Sequence, residues 1–351
     1  IEESSFSNCD HLTSVTFSKG SKLVTIEKNT FSYTSLEKII IPYQITHIKE
    51  GAFSCCKQLK SVEFPKNSKL EIIDKDAFSK TLIEEISFPA QVRVIGERAF
   101  NECYNLSSIE FPQNSKLRSI CKEAFYKTSL SKVMIPSSVT QVGEGCFSYC
   151  DCLKTVRFSP DTKLDSIESR MFFSSSIQRI TIPSNIKRIG AYAFSVCEKL
   201  TAVEFTSNSK LQVIGKHAFS CSAIESISIP SHVHSIEECA FVSCENLNAI
   251  KFAQDSELAN IEKDAFSYTS IVRIIIPSSV VKIGEYSFAC CEELKNVDFA
   301  KNSNLTIIER EAFASSSIVK FSVPPKVTQI GEYAFSDREN LKSVDFPTEC
   351  K

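Results

Sequence analysis

The most reactive side chains in this chain are its fifteen cysteines. Seven of them, Cys9, Cys56, Cys103, Cys150, Cys197, Cys244 and Cys291, recur at steps of 47 residues. Thiolates close disulfides or bind zinc, and a cysteine-rich chain invites both readings. The remaining cysteines (Cys55, Cys121, Cys146, Cys152, Cys221, Cys239, Cys290, Cys350) share no spacing. Two histidines, His232 and His234, flank Val233 and could start a metal site, with Glu237 and Glu238 the nearby acids; a third ligand is not evident, and a solvated bend explains them better. Paired acids such as Glu84-Glu85 and Glu292-Glu293 have the chemistry of a general acid and base. No nucleophile motif, phosphate loop or Cys/His spacing accompanies them, so they read as solvated.

The elements that hold these groups follow from phenylalanine. Fifteen Phe, from Phe6, Phe31, Phe53 and Phe78 to Phe335, recur at alternating steps of 25 and 22 residues. A period in this range with apolar positions locked to it is the signature of a leucine-rich-repeat solenoid. The expected fold is an α/β solenoid: a right-handed coil of about 15 repeats with a parallel sheet on the concave face and short helices or helical turns opposite. Each coil carries L/I-x-x-V/I-x-F/I, as in Leu59-Val62-Phe64, whose end alternates apolar, polar, apolar like a strand buried on one face. Pro42, Pro89, Pro136, Pro183, Pro230, Pro277 and Pro324 follow the strands of the shorter coils and stop them. Gly96, Gly143, Gly190, Gly215, Gly284 and Gly331 suit a tight bend into the helical side. Of 26 Phe, fifteen fall in the Ala-Phe column and eight end the long-coil strands, so nearly all are expected in the core; Phe173 alone lies outside the template.

Placed on this frame, successive ladder cysteines are two coils apart, about 9.5 Å at the usual strand spacing. That is too far for a disulfide or a shared zinc ion. They are expected as small buried thiols, with Thr or Ser (Thr34, Thr81, Thr128, Ser175, Ser222, Thr269, Ser316) in the same column of the short coils. Mostly unpaired thiols are predicted, although neighbours such as Cys197 and Cys221 could come close. Arg338 breaks the column in the last coil.

Two outward columns on the sheet face and one edge stripe remain for function. The candidate ligand-binding residues on the concave face are Lys38, Glu63, Glu110, Lys132, Arg157, Arg179, Glu204, Lys251, Arg273 and Asp298. Acids and bases tend to alternate between neighbouring strands, which fits either a partner's charge pattern or cross-strand ion pairing. Lys22, Lys69, Lys116, Lys163 and Lys210, at 47-residue steps, form a basic edge suited to an anionic glycan or simply to solvent.

A net charge of −2 argues against a nucleic-acid partner. No apolar run reaches the roughly 18 residues of a membrane span. No linker or composition shift divides the chain, so 1–351 is expected as one domain. It opens in mid-repeat and reads as a piece of a longer protein. Asn105-Leu106-Ser107 and Asn304-Leu305-Thr306 match the N-glycosylation sequon, a number expected by chance.

The motif I-G-x-x-A-F-x-x-C-x-x-L-x-x-V-x-F-P, as at Ile95 to Pro112, resembles the BspA-like (Treponema pallidum-type) leucine-rich-repeat family. Segments such as Ser270 to Val280 resemble the family's I-x-x-I-x-I-P-x-S-V half. The regular 25/22 alternation and the Thr/Ser coils look like its protozoan members. The resemblance covers essentially the whole chain and implies a non-catalytic surface or secreted protein without cofactors, associated with adhesion to host matrix and cell-surface proteins. It carries over no binding residues. An intracellular scaffold for protein–protein interaction is the alternative, consistent with so many unpaired cysteines. Apolar terminal coils would also permit end-to-end self-association.

Overall fold

The computed structural model describes residues 1–18, 20–336 and 340–347; Arg338 and Cys350 lie outside them. The chain divides into two compact units, one made of Ile1–Leu164 with Arg170–Ile177 and the other of Asp165–Ser169 with Gln178–Lys351. Both are β-solenoids built from the same coil.

Each coil contributes two strands. The first unit stacks the face strands Lys38–Ile40, Ser61–Glu63, Glu85–Ser87 and Ser108–Glu110, followed by Lys132–Ile135 paired with Thr155–Phe158, all pairings parallel. Beside them runs a parallel ladder of two-residue strands from Thr25–Ile26 to Gln141–Val142. The second unit repeats this with face strands from Arg179–Ile182 to Asn296–Phe299, a pair of Lys320–Ser322 with Ser343–Asp345, and a two-residue ladder from Ser166–Ile167 to Gln329–Ile330. The first occurrence of the strand motif, Leu12-Val15-Phe17, forms no strand.

The helical side is not formed either: the described residues contain no helix, and the Ala-Phe segments run as successive turns. Backbone conformation is the reason. The residues two before and two after nearly every ladder Phe sit at positive φ, as at Asn29 (51°) and Tyr33 (57°) around Phe31, or His217 (54°) and Cys221 (55°) around Phe219. Two left-handed residues four apart leave no room for a helical turn. Amides at alternate positions then leave the coil. Asn29, Phe31 and Tyr33 donate to the Glu50, Ala52 and Ser54 carbonyls of the next coil at 2.9, 2.8 and 2.9 Å, while Thr30 and Ser32 turn back to Glu27 and Asn29. The turn side is therefore hydrogen-bonded along the stack like the strands.

This spacing places the ladder rings face to face. In the first unit Phe31, Phe53, Phe78, Phe100 and Phe125 stack at centroid distances of 5.2–5.4 Å with interplanar angles of 15° or less. In the second, Phe219, Phe241, Phe266, Phe288 and Phe313 stack at 5.2–5.4 Å with interplanar angles of 16° or less. A centroid spacing slightly above the strand spacing means offset stacking, the favoured geometry for ring pairs.

The second Phe column departs from expectation. Phe17, Phe64, Phe111, Phe158, Phe205, Phe252 and Phe299 are half-buried and Phe346 is exposed, whereas the equivalent short-coil residues Ile41, Ile135, Ile182 and Ile276 are fully buried. Long coils take two more residues than short ones between the strand end and the next apolar position (Phe64 to Leu70 against Ile41 to Ile45), so the chain swings outward there. The glycine column also has a different cause. None of its six members has positive φ; a Cβ on Gly143 would lie 2.4 Å from Lys122 N, and one on Gly96 2.6 Å from the Asp74 carbonyl carbon. Close approach of the preceding coil, rather than a tight bend, favours glycine there.

Candidate functional site

The cysteine ladder is a hydrogen-bonded thiol array. Cys56 Sγ and Thr34 Oγ1 both donate to the Phe31 carbonyl, at 3.0 and 2.9 Å, and lie 3.2 Å apart. Thr81 with Cys103, Thr128 with Cys150 and Thr269 with Cys291 repeat this on Phe78, Phe125 and Phe266. The thiol of a long coil thus shares a carbonyl with the hydroxyl of the short coil before it, which explains the alternation. Burial pushes the Cys103 and Cys150 thiols up to about 11 and Cys244 to about 12, so they stay protonated and unreactive. No disulfide joins the described cysteines, Cys197 and Cys221 included; Cys9, Cys152 and Cys221 are exposed.

His232 and His234 are exposed, and the neighbouring acids are engaged elsewhere: Glu237 with Arg188 at 3.2 Å and Glu238 with Lys216 at 2.8 Å. No group of three His, Cys, Asp or Glu among the described residues could hold a metal ion. Burial raises the carboxyls of Asp76 and Asp264, and Asp264 also accepts a 3.2 Å bond from the buried Ser267 hydroxyl.

Charge is arranged differently on the two faces. On the turn side, the position three before the ladder Phe alternates Lys in short coils with Glu in long ones, except at Ser169, Ala191 and Arg310, a column missed in the sequence because it sits on outward turn positions. Its members pair along the stack: Lys28–Glu50 at 3.1 Å, Lys122–Glu144 at 3.3 Å, Lys216–Glu238 at 2.8 Å and Lys263–Glu285 at 3.2 Å. On the sheet face, ion pairs follow a 25-residue diagonal between neighbouring strands. Lys38 bonds Glu63, Arg273 Nε meets Asp298 at 2.7 Å, and Lys320 meets Asp345 at 2.6 Å. The other candidates lie on the same face without an ion pair to any described residue. Glu110 accepts a 3.4 Å bond from Ser87, Lys132 and Arg157 stand opposite Thr155 and Met134, Arg179 and Glu204 opposite Ala202 and Thr181, and Lys251 opposite Ser228. Apolar side chains join them, with Ile40, Met134 and Ile275 more than half exposed.

The edge lysines Lys22, Lys69, Lys116, Lys163 and Lys210 are all exposed, and none makes an ion pair with a described residue. Lys69 Nζ stands 6.0 Å over the Tyr43 ring and Lys116 Nζ bonds Gln91 at 2.8 Å. Sequence reasoning missed the open grooves along the strand ends, each centred on half-buried long-coil phenylalanines. One of about 940 Å³ runs past Phe205, His232 and Phe252, and one of about 900 Å³ past Phe299, Lys320 and Lys326. Phe173, outside the template, packs edge-on against Tyr149 at 5.3 Å on the turn side.

The family model of the BspA type leucine-rich-repeat region matches residues 1–81, 71–201, 165–271 and 259–351, which together span the chain. The chain is a BspA-type leucine-rich-repeat protein. Solved structures share the fold of this BspA-type chain. The pneumococcal vaccine antigen PcpA is 22% identical, covering 90% of this chain and 80% of that one with a TM-score of 0.52. A leucine-rich-repeat protein from Eubacterium ventriosum is 21% identical, covering 95% and 84% with a TM-score of 0.54. No curated protein matches the BspA-type chain.

Proposed function

We propose that this chain is a non-catalytic protein-binding module of a surface or secreted adhesin-type protein, and that its sheet face binds a host matrix or cell-surface protein. The observation that carries the reading is the contrast between the faces. The turn side neutralises its Lys/Glu column along the stack, whereas much of the charge on the strands, together with Met134 and Ile275, is left to solvent. Solvent-facing charge beside exposed apolar groups on a rigid sheet suits a partner surface, and repeat folds present such surfaces for binding. The surface location rests on the family resemblance. Solid-phase binding to immobilised matrix proteins and to cells is the test. Charge reversal at Glu63, Glu110 and Glu204 should weaken binding at least tenfold, and unchanged binding would remove the sheet face from the account.

The edge lysines support a second ligand class, an anionic glycan, since all five are exposed at a regular step and none makes an ion pair with a described residue. Replacing Lys22, Lys69, Lys116 and Lys163 by Ser should lower the salt needed to elute the chain from a sulfated-glycan column; unaltered elution rules the stripe out.

A further inference from the structure

The 25-residue diagonal of the sheet face carries opposite charges at Lys38–Glu63, Arg273–Asp298 and Lys320–Asp345. In the middle of the first unit the same diagonal carries like charges. Glu85 of strand Glu85–Ser87 is followed by Glu110 of Ser108–Glu110, and Lys132 of Lys132–Ile135 by Arg157 of Thr155–Phe158. The registers Ser87↔Glu110 and Met134↔Arg157 put each second residue two residues further along its strand than the first, on the same face. All four are exposed and none makes an ion pair with a described residue. Glu84 and Lys154, exposed on the coils of Glu85 and Arg157, enlarge each half, and Lys60 stands on the preceding coil beside Glu84. The two halves abut, because the coils of Ser108–Glu110 and Lys132–Ile135 are joined by the Ser131 N to Ser107 carbonyl bond and by the Phe100–Phe125 stack.

Like charges on neighbouring strands cost stability that opposite ones would return. Two such diagonals of opposite sign, side by side, make a dipolar patch. A two-fold axis running along the strand direction between Glu110 and Lys132 brings the acidic half of one copy over the basic half of another. That is the self-complementarity an isologous contact requires. Small residues between the charges (Ser87, Ser108, Thr155) leave room for approach, and Met134 stands 52% exposed beside the axis.

We propose that this patch binds a second copy of the chain, face to face with the coil order reversed, in a weak and salt-sensitive homodimer. The proposal rests on the reading of the sheet face as the working surface and narrows it to one occupant. A patch of four short strands lies at the low end of interface sizes, which sets the expectation of a transient contact.

Sedimentation velocity on the whole chain tests it at low and high salt. The wild type should sediment increasingly as dimer with concentration at low salt and as monomer at high salt. Glu85→Lys with Glu110→Lys should weaken association at least about tenfold, as should Lys132→Glu with Arg157→Glu. An equimolar mixture of those two double variants should associate again, and so should the chain carrying all four reversals. Unchanged thermal melts of these exposed variants confirm that each is folded. A wild type that stays monomeric at low salt up to its solubility limit overturns the proposal, as does a quadruple variant that fails to associate. Either result, with solid-phase binding to matrix proteins still sensitive to Glu110→Lys, leaves the foreign-partner reading standing and removes only the second copy.

Discussion

Phe100 is the place to test what holds the coils together. It is fully buried and stacks on Phe78 at 5.3 Å and on Phe125 at 5.4 Å, with the edge of Phe88 at 5.7 Å. Truncation to Ala removes the ring from a site that the stacked backbones keep from collapsing, and should cost about 3–5 kcal/mol. Phe100→Leu keeps most of the apolar volume and removes the ring geometry. With two offset stacks and one edge contact at about 0.5–1.5 kcal/mol each, overlapping in part, a loss of about 2 kcal/mol is expected. Phe6, 39% exposed with a single stack at 5.4 Å, should lose less than about 1.5 kcal/mol as Ala. Urea unfolding followed by far-ultraviolet circular dichroism measures all three. In a stack where each coil touches only its neighbours, Phe100→Ala should also broaden the transition as the array splits into separately melting segments. The reasoning fails if Phe100→Ala costs no more than Phe6→Ala, or if Phe100→Leu is neutral.

Three further outcomes follow from the same geometry. The Cys103, Cys150 and Cys244 thiols are raised in the folded state, so an unfolded chain loses protons first. Stability should therefore be fully present below pH of about 8.5 and fall as pH rises towards 11–12, which thermal melts across that window would show, with Cys103→Ser and Cys244→Ser flattening the slope. Thiol labelling of the native chain should modify Cys9, Cys152 and Cys221 readily and Cys56, Cys103, Cys150 and Cys244 only on unfolding; rapid labelling of the second group would contradict the buried ladder. Gly143→Ala should cost about 1–3 kcal/mol in chemical unfolding because its Cβ meets Lys122 backbone, while Gly20→Ala, with nothing within 4 Å, should be close to neutral.

Much of the coil was legible because its determinants recur in single residue types. The ladder Phe, the strand-ending Pro and the 47-residue cysteine step each mark one structural position. The turn side was not legible for the opposite reason. Its positive-φ positions are occupied mostly by Asp, Arg, Glu, Tyr, Lys and even Val196 (φ 58°), and few of them, such as Asn8, Asn29, Gly51 and Gly145, announce it. The extra residues of the long coil were visible, but their effect on Phe64 or Phe205 depends on where the chain swings outward. Ion pairing was equally hidden: Arg179 and Glu204 carry the same charges on the same diagonal as Arg273 and Asp298, yet only the latter close to 2.7 Å. Charge columns can be listed from sequence, whereas their neutralisation depends on local geometry.

The most direct test of the central claim is amine labelling of lysines, read by mass spectrometry with and without an immobilised matrix protein that binds the chain. The account predicts protection of Lys132 and Lys251 on the sheet face and unchanged labelling of Lys28, Lys122 and Lys216 on the turn side. Protection of the turn-side lysines with Lys132 and Lys251 still fully labelled would contradict it.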